Sequence, residues 1–225
     1  MWSRDSREGG VRVDVAFTDS SLNLQGLRPG FPQVLGELES ELGVPFARLT
    51  QVHGDEVVFV DAPMALGEAA TGDALVTTRR GLGLMVRVAD CVPVVIADAA
   101  TGVIGAVHSG RPGTALDIVT RTVETMRRHG AEELAGWIGP HVCGSCYEVP
   151  ESLREQVGAL VPETFAETSW GTPALDLGAG VRAQLERAGV EVVDVGGCTR
   201  EEPSLHSYRR DGADAGRFAG LVWMS

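Results

Sequence analysis

The sequence lacks the glycine-rich and nucleophile motifs that identify several large enzyme classes. Its 225 residues contain no G-x-S-x-G, no G-x-G-x-x-G and no P-loop pattern. The α/β-hydrolase, dinucleotide-binding and NTPase interpretations therefore have no support in the sequence. Aromatic residues are scarce, at 5% of the chain, but the 44% hydrophobic and 22% charged content is that of an ordinary folded domain and excludes a disordered chain.

The sequence also has no long apolar run and no excess of positive charge. Its apolar runs are interrupted by Asp98 and Gly105 and fall short of the roughly 20 residues of a membrane span. The first ten residues do not resemble a secretory signal. With 31 acidic residues against 19 basic ones, all arginine, the net charge of −12 disfavours nucleic-acid and membrane partners. We expect a cytoplasmic protein that binds a small molecule, for which a few arginines can form a local anion pocket.

Apolar periodicity predicts strands and helices mixed along the chain, without linkers or repeats. Strands are predicted over residues 11–17, 81–98, 101–108, 134–138 and 190–195, with two short β segments around a turn within 48–61. Helices are predicted over residues 32–42, 113–129, 151–161 and 176–188. The predicted fold class is α/β (α+β), a single domain over residues 1–225 with a mixed β-sheet core and packed helices.

Three residues that can bind a transition metal lie at or beside the ends of predicted strands, namely His53, Cys91 and His108. Two imidazoles and a thiolate suffice for a catalytic zinc ion, which takes three protein ligands and leaves a fourth position free. A cysteine in an apolar run is more often an inert core residue, and a lone strand histidine is more often structural. The neighbouring Asp90 and Pro93 suit a strand end rather than a strand interior, which favours the functional interpretation.

Three further features carry weaker signals. The glycine-rich turn H-S-G-R-P-G-T (108–114) leads into a predicted helix and can hold an anion. The pair Cys143-Gly-Ser-Cys146 can be half a zinc site or a redox pair, but a four-cysteine site needs a second pair, whereas Cys91 and Cys198 are isolated in the sequence. We expect this segment to line or support the site and assign no role to its cysteines or to Cys198.

The run 198–212 places Tyr208 and Arg210 near a histidine and an aspartate. This composition suits a polar, flat or phosphorylated ligand, and it equally suits an exposed loop with surface ion pairs. The sequence leaves both interpretations open.

Six segments occur in an order that resembles a known family. They are Q-V-H-G (51–54), G-D-A-L-V-T (72–77), A-D-C-V-P-V (89–94), A-V-H-S-G (106–110), I-G-P…C-Y-E-V (138–149) and S-Y-R-R-D-G (207–212). Together they resemble the laccase-domain family, first labelled polyphenol oxidase and now understood as purine nucleoside phosphorylase. The matches extend over nearly the whole chain.

The resemblance implies one α/β domain that holds Zn²⁺, in preference to copper, through His53, Cys91 and His108, which would also be the catalytic residues. It further implies phosphorolysis of adenosine, inosine, guanosine or methylthioadenosine to free base and ribose 1-phosphate, with adenosine deamination as a side activity. The residues assigned to substrate binding are Asn23, Asp73, Arg111, Tyr208 and Arg210, and the proton carrier is Asp73 or Asp90.

The chain departs from the family pattern at two places. The family usually has H-A-G-W-R-G-T at 108–114, so Arg111 and Pro112 stand where the family has tryptophan and arginine. If the family arginine handles phosphate, Arg111 must replace it from one position earlier. The loop before S-L-N-L is shortened, although Asn23 is present.

Three alternative functions are left open. A copper-dependent polyphenol oxidase is disfavoured, because a multicopper route needs many more histidines than the five present. A metal-free hydrolase would use Cys91 as nucleophile, activated by His108 or His53. A non-catalytic nucleotide-binding accessory protein would bind nucleoside without turnover. The preferred nucleoside and the oligomeric state are not predicted.

Overall fold

The computed structural model describes residues 1–65 and 67–225. Its strands are β1 (Ser3–Glu8), β2 (Arg12–Phe17), β3 (Phe46–Ala47), β4 (Leu49–Thr50), β5 (Val57–Phe59), β6 (Ala70–Thr71), β7 (Ala74–Thr77), β8 (Gly83–Val88), β9 (Val92–Asp98), β10 (Val103–Ser109), β11 (Ala135–Ile138), β12 (Phe165–Glu167), β13 (Pro173–Leu175), β14 (Glu191–Asp194) and β15 (Phe218–Met224). Its helices are α1 (Phe31–Leu42), α2 (Arg111–Ala115), α3 (Ile118–Arg128), α4 (Glu151–Leu160), α5 (Leu177–Arg187) and α6 (Tyr208–Asp211), with 3₁₀ turns at Pro162–Thr164 and Gly212–Asp214. Across this described part of the chain, no helix is both long and apolar enough to cross a bilayer.

Two mixed sheets form the centre of the fold. Sheet A has the strand order β1-β2-β15-β8-β3, and sheet B has the order β14-β11-β9-β10-β7-β5. The pairs β3–β8, β5–β7 and β11–β14 are parallel, and the other neighbours in these two sheets are antiparallel. The predicted mixed β-sheet core with packed helices is therefore confirmed.

Alternation along the strands produces four layers, because successive side chains in a strand point to opposite faces. In β9, Val94 and Ile96 pack against helices, whereas Val95 and Ala97 pack in the core between the two sheets. The outer face of sheet A packs against α1, and the outer face of sheet B packs against α3, α4 and α5. The order of layers is helix, sheet A, sheet B, helices.

The apolar run 81–98, predicted as one β segment, is two strands in different sheets. β8 belongs to sheet A and β9 to sheet B. The chain passes between them through Ala89, Asp90 and Cys91, with Asp90 in the left-handed region at φ 87°. Both strands are buried on both faces, so hydropathy alone cannot reveal the break.

The predicted helix over 113–129 is likewise two helices, α2 and α3. The interruption falls at Asp117, whose φ is 59° and whose carboxylate accepts the N–H of Thr120 as the N-cap of α3. The other predicted helices agree with α1, α4 and α5 to within one residue at each end. The edge strand β1 and the strand β15 were not predicted, and neither were the short elements β3, β6, β7, β12, β13 and α6.

Candidate functional site

Strand register brings the three predicted metal ligands to one edge of sheet B. His108 pairs with Pro93 across β9 and β10, which places Cys91 at the same end of the ladder. β7 pairs with β10 on one side and β5 on the other, and so carries the turn that contains His53 to this edge. The ligand atoms of the three side chains all lie within 4.8 Å of one another. Cys91 Sγ is 3.7 Å from His53 Nε2.

Asp73 binds both His53 and His108 from the buried side of the cluster. Its fully buried carboxylate accepts Nδ1 of His108 at 2.7 Å and the backbone N–H of His53 at 2.9 Å. The N–H groups of Gly54 and Val52 also donate to it, at 2.7 and 3.2 Å. Burial raises the pKa of Asp73, but the hydrogen bonds from His108 and the backbone outweigh burial and hold the pKa below its usual value. Such a carboxylate–histidine pair fixes the tautomer and leaves Nε2 of His108 as the ligand atom.

Asp90 fixes the backbone next to Cys91. Its Oδ1 accepts hydroxyl hydrogen bonds from Thr199 and Ser207, both at 2.6 Å, and its Oδ2 accepts the N–H of Arg209 at 2.6 Å. A left-handed φ in a residue other than glycine costs about 1–3 kcal/mol and persists only when the surroundings impose it. The segment around 199–209 supplies that constraint and thereby positions Cys91.

The charges of Cys91 and His108 are coupled. Burial raises the pKa of Cys91, but the adjacent imidazoles of His108 and His53 outweigh burial and lower it to about 6. Burial lowers the pKa of His108, whereas the Cys91 sulfur and Asp73 raise it to about 9. Each group thus favours the charged form of the other, and a bound dication can favour the Cys91 thiolate in the same way.

A cavity of about 1300 Å³ opens over this cluster. It is larger than the roughly 300–1,000 Å³ of typical small-molecule sites, so it has room for an organic ligand and a small anion together. Its lining includes five arginines and three aromatic residues: Arg28, Arg48, Arg87, Arg209 and Arg217, and Phe31, Tyr147 and Tyr208.

Arg87 is the centre of a cationic wall in this cavity. Its guanidinium donates to the carbonyl of Leu49 at 2.9 Å and lies 5.3 Å from the centroid of the Phe31 ring. Burial lowers the pKa of Arg87, and the charges of Arg48 and Arg217 lower it further. We call Arg48, Arg87 and Arg217 the arginine wall. Like charges close together in a chain with net charge −12 favour the binding of an anion.

The arginine wall was not predicted from the sequence. Arg87 is the one charged residue in the apolar strand G-L-M-V-R-V, and that interruption was the available signal. Arg48 and Arg217 carried no comparable signal, because their proximity to Arg87 depends on how the chain folds back.

The predicted substrate-binding residues occupy different positions. Tyr208 lines the cavity and is 55% exposed. Asp73 is buried behind the histidines. Asn23 lies outside the cavity lining, where its side-chain oxygen accepts the N–H groups of Gln25 and Arg217 at 3.1 and 3.2 Å. It thus shapes the backbone beside two lining residues.

Arg111 and Arg210 also lie outside the cavity lining. Arg210 donates to the carbonyls of Thr199, Glu202 and Leu205 and so holds its own loop together. Arg111 begins α2, which is only five residues long and contains a proline that brings no N–H. The turn at 108–114 is therefore a poorer anion site than the arginine wall.

The remaining cysteines form a second group of potential ligands, which we call the cysteine cluster: Cys143, Cys146, Cys198 and Glu201. Their ligand atoms also lie within 4.8 Å of one another. Cys198, which is isolated in the sequence, lies beside the C-x-x-C turn in the fold, because a parallel bridge between His141 and Cys198 brings it there.

Comparison with known proteins agrees with this architecture. The family model described as multi-copper polyphenol oxidoreductase laccase matches residues 9–225. Proteins named purine nucleoside phosphorylase from Streptomyces coelicolor and Streptomyces griseus are 47% and 49% identical to the chain, and the alignments cover 97% of the chain and 93% and 92% of those relatives. A crystal structure from Neisseria meningitidis matches with a TM-score of 0.82 and 28% identity over 99% of both chains. The chain therefore belongs to the multi-copper polyphenol oxidoreductase laccase family, as the six sequence segments predicted.

Proposed function

We propose that this chain is a zinc-dependent purine nucleoside phosphorylase, a glycosyl-transferring enzyme that converts a purine nucleoside and phosphate into free base and ribose 1-phosphate. The proposed nucleosides are adenosine, inosine, guanosine and methylthioadenosine, with adenosine deamination as a side activity. The observation that carries the proposal is the convergence of His53, Cys91 and His108 on a cavity with an arginine wall. The names of the Streptomyces relatives support the same reaction class.

The donor set fits zinc. His53 and His108 offer ring nitrogens and Cys91 offers a sulfur whose pKa lies near neutrality. Three such ligands are the usual complement of a catalytic zinc site, and the Asp73–His108 hydrogen bond is the outer-shell contact that commonly accompanies it. When bound, zinc supplies Lewis-acid chemistry to the reacting groups.

The arginine wall binds phosphate in the proposed reaction. Arg87 and Arg217 neutralise its charge, so that a phosphate oxygen can approach the anomeric carbon of the ribose. The new C–O bond forms as the glycosidic C–N bond breaks, and the bonding electron pair leaves with the purine. The wall thereby stabilises the charge on the attacking phosphate.

Other residues that line the cavity bind the purine base, and an aspartate supplies the proton that the base takes up on leaving. Tyr208, Tyr147 and Phe31 offer aromatic faces on which a purine can stack. The guanidinium of Arg209 lies 4.6 Å from the centroid of the Tyr147 ring and keeps that side chain in place. The proposed proton carrier for the leaving purine is Asp73 or Asp90. Asp73 is fully buried, whereas Asp90 lines the cavity but has both carboxylate oxygens engaged by Thr199, Ser207 and Arg209.

Product analysis tests the reaction directly. Adenosine and inosine are each incubated with and without phosphate, and the products are separated by chromatography. Phosphorolysis gives free base and ribose 1-phosphate only when phosphate is present. Release of base without phosphate would identify a hydrolase and contradict the proposal, whereas inosine formed from adenosine would reveal the deaminase side activity.

The ligand set is tested by substitution. Cys91→Ala and His53→Ala are expected to lose zinc and turnover together. The matched control is His129→Ala, because His129 stacks on Phe59 with ring centroids 3.9 Å apart and does not line the cavity. Full phosphorolysis by Cys91→Ala would exclude the proposed ligands.

A metal-free cysteine hydrolase is the second candidate, favoured by the chain of contacts from Asp73 through His108 to Cys91. It predicts activity that survives chelation and stoichiometric labelling of Cys91 by an electrophile. A multicopper oxidase does not fit the described residues, because His141 and His206 are bound to the carbonyls of Gly139 and Leu22 away from the site.

A further inference from the structure

The cysteine cluster joins two chain segments that are distant in sequence. The C-x-x-C turn follows β11, and Cys198 and Glu201 follow β14. The backbone N–H of Cys143 points to Cys198 Sγ at 3.5 Å, and Cys146 Sγ lies 3.4 Å from a carboxylate oxygen of Glu201. Four potential ligands from two loops thus converge on one point.

The spacing of the ligand atoms in the cluster is compatible with a tetrahedral zinc ion. A Zn–S distance of about 2.3 Å places sulfur atoms about 3.8 Å apart in a tetrahedron. The ligand atoms of the cluster already lie within 4.8 Å of one another, so binding requires movements of about 1 Å. Cys146 is 4% exposed, whereas Glu201 lies at the surface and leaves a path by which an ion can enter.

We propose that the cysteine cluster is a second, structural zinc site in which three thiolates and one carboxylate complete the coordination of the ion. This site differs in kind from the cluster at His53, because four protein ligands leave no position for substrate. Thiolate ligands favour zinc over magnesium or calcium. The proposal does not depend on the proposed function.

An ion in the second site would hold together two chain segments that bind Asp90. Thr199, directly after Cys198, donates to Asp90, and the N–H of Val142, directly before Cys143, donates to the Asp90 carbonyl at 3.0 Å. An ion that joins the two segments therefore fixes two of the groups that hold Asp90, whose carboxylate also binds Ser207 and Arg209.

Zinc stoichiometry tests the proposal. The chain is purified, reconstituted with Zn²⁺, freed of loosely bound ions and analysed by elemental mass spectrometry. Two zinc ions per chain are expected for the unmodified protein, one for Cys91→Ala, one for Cys146→Ser and none for the double variant. An unmodified protein with one ion and a Cys91→Ala variant with none would overturn the second site while leaving the first intact. Loss of the first site alone would appear as one ion per chain in both the unmodified protein and Cys91→Ala.

Cobalt distinguishes the two sites by their ligands. Co²⁺ bound by three thiolates gives a strong sulfur-to-metal charge-transfer band, and its intensity follows the number of thiolates. The band is expected to lose only the contribution of one thiolate in Cys91→Ala and to fall to that of the single Cys91 thiolate in Cys146→Ser. The reverse result would overturn the proposal.

A milder substitution covers the case in which Cys146→Ser does not fold. Glu201 is exposed, so Glu201→Gln is expected to fold and to release its zinc to a chelator at least about ten-fold faster than the unmodified protein, in the Cys91→Ala background. Glu202→Gln is the matched control, because the Glu202 carboxylate binds Ser204 and is not part of the cluster. Equal release rates for the two variants would contradict the assignment.

A redox role for the same cysteines makes an opposite prediction. Zinc-bound thiolates are expected to resist alkylation and mild oxidation until the ion is removed. Mass spectrometry that finds a disulfide among Cys143, Cys146 and Cys198 in the zinc-treated protein would overturn the proposal.

Discussion

Nδ1 of His108 lies 2.7 Å from Oδ1 of Asp73, and this buried carboxylate also accepts the backbone N–H of His53. One side chain therefore orients two of the three proposed zinc ligands. The carboxylate stabilises the arrangement without facing the cavity, which makes Asp73 a positioning residue.

Asp73→Asn is expected to weaken zinc binding about 10- to 100-fold. In the variant, an NH₂ group replaces one of the two carboxylate oxygens that accept the backbone N–H groups. An NH₂ group cannot accept these hydrogen bonds, so the histidines lose their orientation. Competition with a chromophoric chelator measures the change. The control is Asp55→Asn, since Asp55 forms a surface pair with Arg121 at 3.1 Å, and equal affinities for the two variants would contradict the role of Asp73.

Gly110→Ala is expected to disturb the same ligands by steric contact alone. A Cβ atom at this position would lie 2.7 Å from Cδ2 of His53 and 3.2 Å from Cys91 Sγ. The backbone, at φ −81° and ψ 175°, accepts alanine, so the expected loss of zinc affinity has no backbone component. Overpacking of this kind costs about 1–3 kcal/mol, which corresponds to a loss of about 5- to 150-fold in affinity.

The control for this prediction is Gly36→Ala in α1, where no atom lies within 4 Å of the added Cβ. Alanine in a helix interior is expected to raise the free energy of unfolding by about 0.5–1 kcal/mol and to leave zinc affinity unchanged. Denaturant unfolding and chelator competition on both variants separate the two effects. Unchanged zinc affinity in Gly110→Ala would refute the close packing of this glycine on the ligands.

Arg87→Gln is expected to lower kcat/KM for phosphate by about 10- to 100-fold, because a charge-assisted hydrogen bond contributes about 1.5–3 kcal/mol. The apparent KM for nucleoside is expected to change less. Arg79→Gln is a matched control, since Arg79 also donates to a carbonyl, that of Asp61 at 2.6 Å, but lies at the surface outside the cavity. Equal phosphate dependence in the two variants would remove Arg87 from the proposed anion site.

Asp98→Asn is expected to reduce the free energy of unfolding by about 2–3 kcal/mol at neutral pH. The buried carboxylate accepts the N–H groups of Ala100 and Thr101 at one oxygen and those of Glu132 and Glu133 at the other. Burial raises the pKa of Asp98, but these hydrogen bonds outweigh it and lower the pKa below 3.8.

This shift also sets the pH dependence of the Asp98 effect. Because the folded pKa is depressed, the carboxylate stabilises the fold above its unfolded pKa, and that stabilisation is lost as the pH falls through the folded value. The unmodified protein and Asp98→Asn are expected to differ most in unfolding free energy at pH 7. This difference is expected to become smaller below about pH 4. Urea titrations at both pH values, with the exposed Asp61→Asn as control, measure it. A difference that does not depend on pH would contradict the assignment.

The sequence predicted most helices and half-buried strands because their apolar periodicity is regular. It could not predict β1, since S-R-D-S-R-E is an edge strand with little buried surface and no apolar pattern. It also could not divide 81–98 between two sheets, because a continuous apolar run has no periodicity to mark the face that each strand buries. The break at Asp90 depends on contacts with Thr199 and Ser207, which are remote in sequence.

For the site, residue type and strand ends were sufficient to select His53, Cys91 and His108 as a group. Their close approach depends on strand register, which periodicity leaves open. The same limit applies to the arginine wall and to Cys198, whose neighbours are set by tertiary contacts. Long-range proximity was thus the missing information in each case.

β15 is the last strand along the chain, yet it lies between β2 and β8 in sheet A. Until the ribosome has released residues 218–224, those two strands have unpaired edges, and such edges promote aggregation. A nascent chain must therefore wait for β15 before half of its central sandwich can close. Loss of these few residues by a premature stop codon is expected to yield insoluble protein rather than a slower enzyme.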